Sequence, residues 1–380
     1  MSSAPVRLGV VGCGNVLSAY RAAIERLRMR GWVDVIAACG RPHQRDAAVE
    51  LGAQRFTTED REVTGAADVD LVVVLTPPAS HGRLAIAALE EGKHVLLEKP
   101  LSTSLDEAKA LVQMARRGPG LLLTAPFTPL SPTFQTIARH IRRGDIGTPC
   151  SARARYGWSG PWWSEWFYKP GGGCLFDLGV YSIASLTGLL GPARRVMAMT
   201  SVALPDRQVA DRTVRVEVED NAQVIIELGS GALAVITTGF TLQQYRSPAL
   251  EVYGSTGAVQ MLGDDWDPEG YELWRNDAGA WQVFKETAPD WPWTDGLRHL
   301  VECIRDGTKP CLTPEHAYHV LEVLLAAQRS GKERQSIDVT SSFDPLNLGD
   351  AGPTEAAHLV HDRTREHSPP AAGATGAGSD

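Results

Sequence analysis

The sequence predicts an α/β chain: an N-terminal doubly wound parallel sheet, then an α+β domain with a large, mostly antiparallel open sheet. Three observations carry this. Over about the first 125 residues, apolar runs of the kind buried on both faces alternate with helical segments, the pattern of a parallel sheet covered on both sides. Beyond about Arg195 the pattern becomes period-two alternation, as at Val214, Val216 and Val218, which suits strands with one covered and one open face. A length of 380 residues favours two domains over one.

The first strand, residues 6–11, stops at Gly12-Cys13-Gly14-Asn15, and a helix follows over about 16–30. Two glycines let the backbone turn tightly and approach a pyrophosphate, which then meets the free N–H groups at the helix start. Gly-x-Gly arises by chance roughly three or four times in so glycine-rich a chain, so its placement matters more than its spacing. Between a first strand and a first helix it reads as a dinucleotide-binding (Rossmann) turn, with Gly12, Gly14, Asn15 and Val16 as contacts. Leu17 holds the third glycine position, so close helix–strand packing is expected to relax there. The second strand, 33–38, ends in Cys39-Gly40-Arg41-Pro42, without the acid that holds a ribose 2′-hydroxyl. Arg41, with Arg45, suits a 2′-phosphate, which favours NADP over NAD; the alternative is Arg41 lying over adenine or in solvent.

Residues 70–75 read as a doubly buried strand broken by Thr76-Pro77-Pro78; Ser80 caps the next helix and Gly92 ends it. The following strand stops abruptly in Glu98-Lys99-Pro100. Proline cannot extend a sheet and pushes its predecessor out of the helical region, so Lys99 stands at a strand's carboxyl end, where open α/β sheets place ligands. Thr76, Pro77, His81, Glu98 and Lys99 are therefore further candidates for cofactor contact; a surface lysine and a structural histidine are the plainer readings. Ser104-Leu105-Asp106-Glu107 has the form of a capping box for another helix, and 121–124 supply a further strand.

After a helix over 131–143 comes an aromatic patch of Trp158, Trp162, Trp163, Trp166, Phe167 and Tyr168, then Gly171-Gly172-Gly173 ahead of a helix bearing Asp177 and Tyr181. Strands over 222–228, 232–240, 250–253 and 258–262 follow, and helices over 294–306 and 313–328 are expected to pack back on the first domain. The expected division is 1–125, 126–293 and 294–345, with 346–380 a disordered tail rich in Ala, Gly, Pro, Ser and Thr.

A net charge of −8 without basic runs argues against nucleic acid or anionic membrane as partner. No apolar stretch is long enough for a membrane span, and the amino terminus has no signal core. The six scattered cysteines lack Cys-x-x-Cys or Cys/His clusters, so reduced thiols in a cytoplasm are expected, and no metal site.

Taken in order, Gly12-Cys13-Gly14-Asn15, Thr76-Pro77-Pro78-Ala79-Ser80-His81, the run from Gly92 to Leu101, the Gly171–Gly173 triplet with Asp177-Leu178-Gly179-Val180-Tyr181, and Val252-Tyr253-Gly254-Ser255-Thr256-Gly257 resemble the family of glucose–fructose oxidoreductase, inositol dehydrogenase and MocA (Gfo/Idh/MocA). The resemblance implies an oxidoreductase moving hydride between a nicotinamide cofactor and a sugar-like or cyclitol-like alcohol, assembled as a homodimer or homotetramer through the open face of the second sheet. It implies that Lys99 is the active-site lysine and Asp177 a substrate-binding acid. Many members carry His four residues after that acid. Tyr181 stands there instead, as in the branch with glucose–fructose oxidoreductase and the dihydrodiol and xylose dehydrogenases.

Oxidising a secondary alcohol needs a base for its proton, and reduction runs the same group backwards. A phenol near pKa 10 is about three units too weak a base at neutral pH, and the Lys99 ammonium is expected to stabilise its phenolate. A spacing of four puts Asp177 and Tyr181 on one helix face. Lys99 acting as the base, or Tyr181 as a core phenol, are the alternatives. Trp158, Trp162 and Trp163 offer aromatic faces for a pyranose ring, or simply core. Other functions open to this sequence are a redox-elimination glycosidase with tightly held cofactor and a ligand-sensing regulator.

Overall fold

Branched apolar side chains on both sides of each strand build the first sheet. The computed structural model describes residues 4–246, 248–285 and 288–348 and the backbone of 358–360. The sheet comprises β1 (Val6–Val11), β2 (Val33–Cys39), β3 (Arg55–Thr57), β4 (Leu71–Val74), β5 (His94–Leu97) and β6 (Leu122–Thr124), all parallel, in the order β3-β2-β1-β4-β5-β6. Every residue of β4 is buried, as a sheet covered on both faces requires. The helices are α1 (Asn15–Met29), α2 (Arg45–Glu50), α3 (Arg61–Thr64), α4 (His81–Glu90) and α5 (Leu105–Arg117). Strand order reverses between β1 and β4, and the crevice at their carboxyl ends is where such sheets bind ligands.

Two expected caps do not form. Ser80 turns its hydroxyl to Thr76 Oγ1 at 2.7 Å, and a 3-10 turn over Pro78–Ser80 precedes α4. Ser104 makes no cap bond, and Glu107 instead accepts from the Ser102 hydroxyl at 2.7 Å.

Helix α6 (Pro132–Arg143), capped by Ser131, opens the second unit; β7 (Pro149–Gly157) and α7 (Val180–Leu190) follow. Then come β8 (Ala193–Ser201), a separate hairpin of β9 (Asp206–Val209) and β10 (Arg212–Arg215), and β11 (Asn221–Leu228), β12 (Leu233–Gly239), β13 (Leu250–Gly254), β14 (Gly257–Asp264), β15 (Asp267–Arg275) and β16 (Ala280–Lys285). Helices α8 (Gly296–Asp306) and α9 (Pro314–Glu333) precede short strands β17 (Ile337–Asp338) and β18 (His358–Val360). The second sheet runs β17-β8-β11-β12-β7-β13-β14-β15-β16-β18, antiparallel except for the parallel β12–β7 pair.

Alternation sorts its two faces. Val224, Ile226, Ile236 and Met261 are fully buried, whereas Met197, Ile225, Leu233 and Val235 face outward. Val214 belongs to the small hairpin rather than to this sheet. Helix α8 lies on α1, as expected of a return to the first unit, but α9 also packs on α7 and β8 and so joins the two sheets. The expected tail falls mostly outside the described residues; within them, Leu346 and Leu348 are buried and 358–360 pair with β16.

Candidate active site

The first cleft is built from main chain. It has a volume of about 690 Å³ and is lined by Gly12, Gly14, Asn15, Val16, Arg41, Thr76 and Pro77 among others. Gly12 has φ +107°, and a Cβ there would lie 2.7 Å from the Leu75 backbone, so only glycine lets the turn pass β4. Gly14 caps α1 with no side chain, leaving the first-turn N–H groups facing the cleft. A glycine turn, a bare helix N-terminus and a cleft of this size fit a dinucleotide. Leu17, in place of the third glycine, is buried in the core.

Arg41 lines this cleft, but Arg45 stacks over Phe56 at 4.9 Å and is engaged there. An acid that the sequence reading missed also lines it: Asp60, after β3, paired with Arg83 at 2.7 Å. Nothing in the sequence marks it, because it follows β3 and not β2, where a ribose-holding acid is expected.

Three expected cofactor contacts do not line this cleft: Lys99, which lines the second one, His81 and Glu98. His81 is fully buried, its ring nitrogens 2.8 Å from Pro100 O and 2.7 Å from Thr76 O, so it clips two strand-end turns together instead of reaching the cleft. Glu98 is 5 % exposed and accepts from the Tyr20 hydroxyl at 2.6 Å and the Lys99 N–H at 3.1 Å.

The second cleft, about 1060 Å³, is built from side chains and brings Lys99, Asp177 and Tyr181 together. Lys99 Nζ donates to both Asp177 Oδ1 and the Asp177 carbonyl at 2.7 Å, and lies 5.3 Å from the centre of the Tyr181 ring. Asp177 does not sit in an ordinary α-helical turn. Residues Leu175–Gly179 form a π-turn ahead of α7, a widening often found at functional sites, so the spacing of four was the wrong period although both side chains do face Lys99. The glycine triplet makes this possible: Gly171 and Gly173 have φ near +90° and +98°, and a Cβ on Gly172 would meet Trp166 O at 2.4 Å.

The electrostatics bear on the expected pairing of Lys99 with Tyr181. Lys99 is committed to Asp177, and burial, then Glu98, Asp177 and Asp265, push the Tyr181 phenol well above its ordinary range. In the chain alone these surroundings work against a Tyr181 phenolate. Tyr181 is 8 % exposed, packs edge-on against Tyr156 at 5.4 Å, and its hydroxyl has no partner among the described residues. Asp265 is a further group the sequence reading missed: wholly buried, it accepts from Ser185 Oγ at 2.7 Å, and burial pushes its carboxyl up to about 7.

The aromatic segment walls both clefts. Trp163 and Phe167 line each of them. Trp158 stacks on Trp163 at 5.6 Å within the second cleft, whereas Trp162 is 66 % exposed and lines neither, contrary to expectation. Arg207 pins the segment, donating to Ser159 O and Phe240 O at 2.7 Å and pairing with the buried Asp220.

Residues 6–124 match the family profile described as "Oxidoreductase family, NAD-binding Rossmann fold", and residues 134–260 match the "GFO/IDH/MocA C-terminal domain". The chain is 31% identical over 263 residues to dTDP-3,4-didehydro-2,6-dideoxy-alpha-D-glucose 3-reductase of Saccharopolyspora spinosa, covering 67% of this chain and 74% of that one. It is 27% identical over 294 residues to scyllo-inositol 2-dehydrogenase (NAD(+)) of Bacillus subtilis strain 168, covering 77% and 83%. A solved structure of levoglucosan dehydrogenase in complex with NADH superposes with a TM-score of 0.78 at 21% identity, covering 89% of this chain and all of that one.

Proposed function

We propose that this chain, which belongs to the Gfo/Idh/MocA family of oxidoreductases, transfers hydride between NAD(P) and a secondary alcohol or ketone of a sugar, sugar derivative, glycoside or cyclitol. The observation that carries this reading is the Lys99–Asp177–Tyr181 cluster, which lies in a cleft sharing the Trp163–Phe167 wall with the glycine-turn cleft. The names of its relatives, which include reductases and dehydrogenases of sugars and inositols, point the same way.

Gly12, Gly14 and the start of α1 would hold the pyrophosphate, and Arg41 the ribose end. The nicotinamide supplies or takes the hydride. Asp177 holds the Lys99 ammonium in the cleft, where it can polarise a carbonyl oxygen. A buried phenol of raised pKa keeps its proton at neutral pH, so Tyr181 is the group that would protonate that oxygen in reduction and take the proton back in oxidation. Trp158 and Trp163 present aromatic faces to the sugar ring.

Arg41 favours NADP over NAD, although Asp60 places an acid nearby. Arg41→Ala then weakens NADPH about tenfold more than NADH, measured by fluorescence titration; NADH binding tighter than NADPH in the native chain would refute the preference. The outward apolar residues Met197, Ile225 and Val235 lie in register on neighbouring strands, which supports assembly through this sheet with a second copy; light scattering at the mass of one chain would overturn it. Free thiols on all six cysteines suit a cytoplasmic protein.

The test is a screen of pyranoses, inositols and glycosides, with their keto forms, against NAD(H) and NADP(H) in parallel. Sugar consumed with no net change in NAD(P)H would instead favour the elimination reading, and binding without turnover the sensor reading.

A further inference from the structure

Glu219 stands two residues ahead of β11 and lines neither cleft. Its carboxylate nevertheless sits on the turn that leads to Asp177. A Cβ on Gly173 would lie 2.5 Å from Glu219 Oε1, so that oxygen fills the space which only a glycine leaves open. The Gln328 amide of α9 donates to the same oxygen at 3.0 Å. The main chain joins in, the Cys174 N–H donating to the Glu219 carbonyl at 3.0 Å. Glu219 thus grips the two residues directly ahead of the π-turn over Leu175–Gly179.

The partners of this carboxylate are neutral donors, and burial pushes it up against the Gln328 amide and the Leu175 backbone, which favour its charged form. A carboxylate in such a place costs stability. What it supplies is a fixed oxygen against a glycine turn that has no side chain of its own to hold it.

The same turn delivers the grip on Lys99. The Asp177 N–H donates to Gly173 O at 3.1 Å, tying the turn to Asp177 itself. Asp177 then offers Lys99 Nζ two oxygens, one of its carboxylate and that of its own carbonyl, both at 2.7 Å. Two contacts from one residue fix the direction of the ammonium as well as its place. They require the main chain at Asp177 to be held, and not only its side chain.

Resting on the reading of Lys99 and Asp177 as groups of the reacting site, we propose that Glu219 is a positioning residue: by holding the Gly173 turn it keeps Asp177 in the geometry that fixes the Lys99 ammonium in the substrate cleft. Gln328 acts through Glu219 in the same chain of contacts.

The test uses the full chain with Glu219→Ala, Glu219→Gln and Gln328→Ala, and Tm is recorded for each. The first readout needs no substrate: acetylation of Lys99 by sulfosuccinimidyl acetate, followed by peptide mass spectrometry with the exposed Lys109 and Lys332 as internal references. Glu219→Ala should label Lys99 about tenfold faster and Gln328→Ala about threefold faster, because the bonds loosened are those of a charged group. Glu219→Gln keeps an oxygen at the turn and should stay within about twofold of the native rate. The second readout is turnover of whichever pyranose or inositol is active in the screen above. Glu219→Ala should lower kcat about 10²-fold with the KM for NAD(P)H unchanged, and Glu219→Gln should restore kcat to within about threefold. In an Asp177→Ala background the same Glu219→Ala change should cost less than about twofold, whereas a general loss of structure would add in full. Lys99 labelling that stays at the native rate in folded Glu219→Ala, or in Gln328→Ala should the first variant not fold, overturns the proposal, as do additive losses with Asp177→Ala. Faster Lys99 labelling in Glu219→Ala, in a chain that turns over none of the screened sugars, supports the positioning role and sinks the dehydrogenase reading instead.

Discussion

The two clefts differ in what they are made of. The cofactor-side cleft rests on main chain, a glycine turn, an uncapped helix start and strand ends within the first 80 residues, closed by the Trp163–Phe167 wall. The substrate-side cleft is side chains gathered from distant parts of the chain, with Lys99 after β5, Tyr156 on β7, Asp177 and Tyr181 around α7, and Asp264 and Glu272 on β14 and β15. A site of backbone tolerates changes of side chain but not of backbone conformation. A site of side chains concentrates charge in a half-dry space and burdens the fold with it.

That contrast can be broken by substitution, taking the largest effect first. Lys99→Ala should lower kcat/KM about 10³-fold, roughly 4 kcal/mol of transition-state stabilisation; steady-state kinetics with activity intact would remove Lys99 from the chemistry. Asp265→Asn should stabilise the protein at pH 8. The folded pKa of Asp265, about 7, lies above the unfolded 3.8, so its contribution to stability is full below pH 3.8 and lost as pH rises through 7. The neutral isostere removes that loss, raising stability by up to about 4 kcal/mol at pH 8 and far less at pH 4. Urea melts at the two pH values measure it, and an equal gain at both would show that charge is not the cause.

Gly12→Ala tests the other cleft. It forces a side chain into φ +107° against the Leu75 backbone and should cost about 2 to 3 kcal/mol, seen as a lower Tm together with weakened cofactor binding. Tyr181→Phe should leave Tm within a degree or two while slowing turnover about 10²-fold. An unchanged rate would pass the proton-transfer role to Lys99.

The same contrast explains what was legible in the sequence. Gly12 and Gly14 are readable because a turn between a strand and a helix is local, and Lys99 because Pro100 marks where its strand stops. The grouping of Lys99 with Asp177 came from family resemblance rather than from the residues, since 78 positions separate them. The π-turn was invisible because it depends on Gly172 passing under Trp166, a contact between segments. The Ser104 capping pattern misled because Glu107 found a nearer donor in Ser102. Trp162 differs from Trp163 only in the direction of one residue in an irregular segment, which no periodicity encodes. Asp264, Asp265 and Glu272 carry no signal in the sequence, because their burial and company depend on how β14 and β15 meet the rest of the fold.

The wall shared by the two clefts has a thermodynamic consequence. Trp163 and Phe167 touch both chambers, so any shift of these rings on filling one changes the fit of the other. Occupancy is then reciprocal: whatever factor the bound dinucleotide adds to sugar affinity, the sugar returns to the dinucleotide. Arg207, which holds that wall from behind through Ser159 and Phe240, sets how stiffly the two chambers are linked without touching the contents of either.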